Sequence, residues 1–310
     1  MKRKFVWLVV SSLMVLSLIL ASCAPAAPTT PVVPTTPAVP TTPTAPAAPV
    51  APTKPTPPAP VVTTEVPKYG GVFTFSVTSE QPTFDDAYRG RASTRTNAQT
   101  NMSLTTGDWS LGAAGTGAID YWTWTAISTA QTGEIAESWE FLSDSEAVFH
   151  IRKGIYWALD PNNAMSKLVG GRELNAYDVE FTLKRTFDQL PGYPEPKAYT
   201  KARLTPPEHP TSIQATDKWT VVLKGNSGYF GSTFKWSSQS IGMIAPEVIK
   251  AGKNFTDPKN YVSNGPFMLT DYVAGTSITF ARNANYWRKD PVGPGKGNQL
   301  PYLDGVKMLV

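Results

Sequence analysis

The sequence predicts an α/β fold, and three observations carry that expectation. Val72-Phe73-Thr74-Phe75-Ser76-Val77 and Ala147-Val148-Phe149-His150-Ile151-Arg152 alternate in the manner of strands. Val179, Leu183 and Phe187 recur at four-residue spacing, as on the buried face of an amphipathic helix. From Lys68 onward roughly 240 residues remain, enough for one large domain or two small ones.

The N-terminus is read first because it sets the compartment. Lys2, Arg3 and Lys4 precede an almost uninterrupted apolar run from Phe5 to Leu20, and Leu20-Ala21-Ser22 then leads into Cys23, the only cysteine. That is the layout of a secretory signal with a lipoprotein cleavage site. Cleavage makes Cys23 the new N-terminus and the lipidation site, so the mature protein is expected outside the cytoplasm, tethered to the membrane by its lipid. The apolar run is shorter than the roughly 20 residues that a membrane span needs. With the one thiol taken by lipid, no disulfide is available and the fold must rest on its core. Loss of Lys2, Arg3 and Lys4, with no acid among residues 1–22, lowers the formal charge from +4 to +1. No nucleic-acid partner is implied.

Proline then recurs at every third position from Pro25 to Pro58, with Thr, Ala and Val between. The three-residue turn of polyproline II aligns such prolines along one edge of an extended, hydrated helix. The stretch to Pro67 therefore reads as a stalk, with a reach on the order of 130 Å.

Lys68-Tyr69-Gly70-Gly71 ends the stalk and the Val72–Val77 strand follows. The polar loop Ser79, Glu80, Gln81, Pro82, Thr83 lies at its C-terminal edge, where α/β sheets commonly carry ligand contacts. Arg89 to Thr132 is rich in small residues and reads as loops with one helix. Ile135 to Glu140 leads to the Ala147–Arg152 strand, and after Tyr156-Trp157 comes a long polar excursion through Asp160 and Asn163. Asn175 is placed to cap the Val179, Leu183, Phe187 helix, with Asp178 and Glu180 in its first turn. Pro191 to Pro210 reads as a surface loop, Trp219 to Leu223 as a strand, and Pro246 to Lys250 as a short helix with proline in its first turn. Ser277 to Ala281 reads as a strand. Asn264-Gly265-Pro266-Phe267 reads as a tight turn in which glycine supplies positive φ.

Signals for catalysis are weak. His150 lies on a strand and His209 in a proline-rich loop, without an HExxH, a His/Cys cluster or a GxSxG. Gly293-Pro294-Gly295-Lys296-Gly297 lacks the spacing of a phosphate loop. The expectation is therefore no enzyme, no metal site and no cofactor.

Several segments occur in a telling order: Tyr69-Gly70-Gly71, Glu137-Ser138-Trp139, Phe149 to Gly154, Gly171-Arg172-Glu173-Leu174 with Asp178-Val179 and Phe181-Thr182, Asn264 to Phe267, Arg282-Asn283 with Asn285-Tyr286-Trp287, and Pro301 to Val306. Together they resemble the family 5 extracellular solute-binding proteins of ABC transporters, the oligopeptide, dipeptide and nickel class. The resemblance implies a type II periplasmic-binding-protein-like lobe I with a mixed sheet and an inserted subdomain, and a chain that stops at the hinge strand with the second lobe missing. It implies these divisions: a signal peptide at 1–22, lipidated Cys23 and stalk at 23–67, a first segment of lobe I at 68–90, an inserted subdomain at 91–235, and a return to lobe I at 236–310.

The resemblance further implies a peptide or similar solute as ligand, a nickel chelate less so, and an ABC permease as partner. Ser79 to Thr83 is then the foremost ligand-contacting segment of lobe I. Asn264 and Phe267 adjoin the cleft, and Trp122, Trp124 and Trp157 are candidates to line a pocket. The alternative from another class is a cell-surface glycan-binding or glycan-hydrolysing protein on a Pro/Thr stalk, with Asp85, Asp86, Glu134 and Glu137 as available carboxylates.

Overall fold

The computed structural model describes residues 65–79, 83–85, 99–111, 131–193 and 202–310. The signal segment, Cys23 and the stalk lie outside the described residues, as do Glu80, Gln81, Pro82, Asp86, Trp122 and Trp124.

In chain order the described strands and helices are β1 (Val72–Ser76), β2 (Thr105–Gly107), β3 (Gln131–Gly133), β4 (Ala136–Ser143), β5 (Glu146–Ile151), α1 (Ala164–Val169), α2 (Ala176–Thr186), β6 (Ser212–Asp217), β7 (Thr220–Lys224), α3 (Phe230–Gln239), α4 (Pro246–Lys250), β8 (Phe267–Val273), β9 (Ser277–Arg282) and β10 (Gly305–Leu309). They form a mixed sheet ordered β1-β10-β9-β8, an antiparallel sheet ordered β4-β5-β7-β6, and a ribbon of β2 with β3. In the mixed sheet β1 runs parallel to β10, with Val72 opposite Gly305 and Ser76 opposite Leu309. A parallel pair needs a crossover connection, and here everything from residue 77 to residue 304 serves as one. The antiparallel sheet is built wholly from that connection.

Several local expectations hold. Asn175 caps α2, accepting from the Tyr177 amide at 3.0 Å, while the Asp178 carboxylate accepts from the Asn175 amide at 2.9 Å. This reciprocal arrangement satisfies backbone N–H groups that a helix start leaves free. Pro246 opens α4 where a proline loses no helical bond. The polar excursion after Trp157 contains a helix the pattern did not announce. Asn163 caps α1 by accepting from Met165 and Ser166 at 2.9 Å each, and Gly170 closes it at φ 68°.

Helix α2 is two-sided. Val179 and Leu183 are fully buried, and the helix packs on β6 and β7. Asp178, Thr182 and Arg185, spaced i, i+4, i+7, form a second stripe that is buried and polar. Each member of that stripe reaches beyond the antiparallel sheet. Asp178 is held by Arg172, which also pairs with Glu247 of α4. Thr182 Oγ1 meets the amide of Ile244 at 3.3 Å. Arg185 meets Asp85. One core runs through the described chain, with Trp157, Phe149, Leu174, Leu223 and Phe280 among its largest members.

The turn at Asn264 to Phe267 corrects the reason given for its glycine. Gly265 is not among the positive-φ glycines. Its amide donates to the Thr100 carbonyl at 2.7 Å, and a Cβ there would stand 2.8 Å from the Thr100 carbonyl carbon and oxygen. The glycine is required by close backbone approach, not by handedness.

Candidate functional site

Segment 101–105 brings two distant parts of the chain together. Met102 N–H donates to Asn264 Oδ1 at 2.7 Å, and Met102 O accepts from Met243 N–H at 2.9 Å. Asn264 Nδ2 and Asn101 Nδ2 both donate to Met243 O, at 3.0 and 2.6 Å. The same segment continues into β2, against which α3 packs.

This junction carries unsatisfied polarity. Among the described residues, Asn101 Oδ1, Thr105 Oγ1, Ser237 Oγ, Ser238 Oγ and Gln239 Oε1 are closed off from solvent without a hydrogen-bond partner. All five lie on segment 101–105 or the last turn of α3. Leaving a buried polar group unsatisfied costs about 1–3 kcal/mol, so each of these atoms calls for a polar partner, of which an ordered water is the simplest. The atom types are informative. Asn101 spends its amide donor on Met243 O, which leaves its oxygen as an acceptor, and Gln239 Oε1 is likewise an acceptor. Three hydroxyls add groups able to donate or accept. Uncharged donors and acceptors of this kind suit a solute rich in N–H, C=O or O–H groups.

Sequence reasoning missed this group, although a signal existed. Helix α3 buries Phe230 and Phe234, with Phe234 stacked on Phe149 at 5.3 Å. Its inner face continues at i+7 and i+8 onto Ser237 and Ser238, both fully buried. Polar residues at core positions of a helix are the mark to look for.

The residues singled out from sequence are distributed differently. Ser79 is exposed beyond the end of β1, and Thr83 is buried with its Oγ1 accepting from the Asp85 amide at 3.1 Å. Asn264 is buried and both ends of its side chain are engaged by backbone, and Phe267 is 8% exposed and part of the core. Within this chain both side chains face inward rather than toward an open cleft. Trp157 likewise lies wholly inside the core, its Nε1 closed off without a partner, and it offers no open face to a pocket. Among the described residues, the carboxylates considered for glycan chemistry are not paired with one another. Asp85 is bound to Arg185, Glu134 Oε2 accepts from the Ser103 amide, and Glu137 is exposed.

Electrostatics elsewhere are internal. Burial opposes the charge of Arg172, but its bonds to Asp178 and Glu247 outweigh that and raise its pKa above the ordinary value. Burial also works against the Glu247 carboxylate, yet the Arg172 hydrogen bonds hold its pKa below 4.5. Among the described residues, no group of three His, Cys, Asp or Glu is arranged to hold a metal ion. No described helix is long and apolar enough to cross a membrane.

Residues 130–310 match the family described as bacterial extracellular solute-binding proteins, family 5 Middle. Heme-binding protein A of Haemophilus influenzae is 30% identical over 170 residues, 50% of this chain and 29% of that protein. Di/tripeptide-binding protein 1 of Pseudomonas aeruginosa is 29% identical over 174 residues, 51% of this chain and 30% of its own length. The oligopeptide-binding protein AppA from Bacillus subtilis, solved with a nonapeptide, is similar with a TM-score of 0.56 at 21% identity, over 79% of this chain and 40% of that one. This chain therefore spans about 30% of the length of those curated relatives.

Proposed function

This chain belongs to the bacterial extracellular solute-binding proteins of family 5, and from that premise we propose that it serves as a lipid-anchored extracytoplasmic receptor delivering peptides or similar solutes to an ABC transporter. The observation that carries the reading is the family match over residues 130–310, and the buried polar atoms of Asn101, Thr105, Ser237, Ser238 and Gln239 are the candidate polar contacts. A peptide main chain offers N–H and C=O groups at regular spacing, and such groups satisfy acceptors and hydroxyls whatever the side chains. The relatives whose names record a peptide ligand favour peptide over other solutes.

The mechanism is binding without chemistry. Residues 68–90 and 236–310 form the body of one lobe and 91–235 its inserted subdomain, with the Ser79 to Thr83 loop as its solute-contacting segment. Closure of this lobe with a second one is driven by the difference in solute affinity between open and closed forms, and the closed form docks on the permease. Lipid on Cys23 holds the receptor at the outer face of the membrane, and the proline-rich stalk gives it reach.

Titration calorimetry of the protein with trialanine, a nonapeptide mixture and a maltooligosaccharide tests this. Heat of binding with the peptides and none with the sugar is the expected result. Binding of the sugar alone would overturn the reading.

A further inference from the structure

Arg152 and Arg288 are exceptions to the internal pairing of charge. Among the described residues, Arg172, Arg185 and Arg282 each meet a carboxylate, whereas neither Arg152 nor Arg288 has one within ion-pair distance. Both lie instead against one indole. The guanidinium carbon of Arg152 is 4.3 Å from the centroid of the Trp287 ring, and that of Arg288 is 5.4 Å from it. Their backbone partners are neighbours too: Arg152 Nε donates to Glu134 O at 3.1 Å and Arg288 Nη2 to Gly133 O at 3.4 Å. All three side chains are partly buried.

Holding two cations together in this way is unfavourable. Burial strips water from them and their like charges repel. Burial lowers the pKa of Arg152 below its ordinary value, the exposed Glu137 opposes that, and the charge of Arg288 adds to it. Attraction to the indole face offsets part of the cost, but two backbone carbonyls carry no net charge to cancel the rest. The Glu134 carboxylate is turned to the Ser103 amide, at 2.9 Å. Among the described residues the Arg152 guanidinium makes one hydrogen bond, through Nε, which leaves both Nη groups as a planar pair of donors. Such an edge matches the two oxygens of a carboxylate.

The pair adjoins the junction at segment 101–105. Trp287 Nε1 donates to Met102 Sδ at 3.2 Å, so the ring that carries both arginines is tied to the segment holding the unpartnered Asn101 and Thr105 atoms. We propose that Arg152 and Arg288, set against Trp287, form a carboxylate-binding subsite. It deepens the reading of the chain as a solute receptor and rests on that reading for the source of the carboxylate, which is a peptide's terminal carboxyl or an acidic side chain.

The test begins without a solute. Sodium acetate is titrated against sodium chloride at equal ionic strength, and the arginine Nε–H signals are followed by heteronuclear NMR. Saturable shifts of the Arg152 and Arg288 signals with acetate are expected, absent with chloride and absent at Arg152 in Arg288→Gln. No saturation in the wild type, an equal response to chloride, or an unchanged Arg152 response in folded Arg288→Gln overturns the proposal. If Arg288→Gln does not fold, Arg288→Lys, which keeps the charge and loses the fork, decides by the same comparison, with a weaker Arg152 response expected and an unchanged one overturning the proposal. Calorimetry then separates the sources. Trialanine binding about tenfold tighter than its C-terminal amide assigns the terminal carboxyl, and alanyl-aspartyl-alanine amide binding about tenfold tighter than trialanine amide assigns an acidic side chain. Equal affinity for all three overturns the subsite. Saturation by acetate with no heat from any peptide supports the subsite and overturns the peptide reading instead.

Discussion

Asn101 and Asn264 donate their side-chain amides to one acceptor, the carbonyl oxygen of Met243, at 2.6 and 3.0 Å. Their positions are 163 residues apart in the sequence, and the shared carbonyl joins the strand-entering segment, the chain after α3 and the turn before β8. The two amides differ in their other end. Asn264 Oδ1 accepts from the Met102 amide, whereas Asn101 Oδ1 has no partner.

Asn264→Ala should therefore act on stability. It strips the buried Met102 amide of its acceptor and removes one donor from Met243 O, and a loss of about 2–3 kcal/mol is expected in urea unfolding. A variant as stable as wild type would show that this clasp is dispensable.

Gly265→Ala should also destabilise, through crowding. The added methyl would meet Thr100 backbone at 2.8 Å, and backbone cannot swing aside as a flexible side chain can. A loss of about 1–3 kcal/mol is expected, whereas Gly231→Ala, where nothing stands within 4 Å of the added atom, should not lower the urea midpoint.

Ser238→Ala should separate stability from binding. Its hydroxyl is buried without a partner, so removing it relieves a desolvation penalty and the melting temperature should stay level or rise. If the hydroxyl meets solute, peptide affinity falls by about tenfold in calorimetry. Level stability with unchanged affinity would remove Ser238 from the site.

Acid should expose the Arg172 cluster. The folded Glu247 carboxylate titrates below its ordinary 4.5, so the unfolded chain binds its proton first as pH falls. The stabilising contribution is complete above that ordinary value and is lost as pH drops through the lower folded one. Urea midpoints measured from about pH 6 down to about pH 3 should fall more steeply for wild type than for Glu247→Gln. Equal slopes would show that Glu247 is not part of the acid response.

Cys23→Ala should abolish incorporation of labelled fatty acid and release the protein from membranes or stall it as precursor. Retention of label by the variant would rule out Cys23 as the lipid site.

The elements legible in the sequence were those with a local cause. Asn175 with Asp178 three residues on, and Val179, Leu183 and Phe187 behind them, specify a capped helix without help from the rest of the chain. Pro246 marks the start of α4 because its ring suits a first turn, and β5, β7 and β9 carry residues that fit a half-buried strand. Strand β4 escaped notice because it is an edge strand with almost every side chain exposed, so no alternation is imposed on it. Helix α1 escaped because six residues are too few to show a period. Its caps, Asn163 and Gly170, were the only signs.

What the tertiary structure alone decided is what residues far apart do to one another. The parallel pairing of β1 with β10 joins residues 233 apart, as at Val72 and Gly305, and no local pattern encodes such a partner. The resemblance put Asn264 and Phe267 beside the cleft and Trp157 looked able to line a pocket, but burial is set by what packs around a side chain, and each is enclosed. The unpartnered group around Ser237 and Ser238 was missed for the converse reason. A serine is an ordinary surface residue until α3 turns it inward against β2, and only then does its hydroxyl lack water and call for a partner.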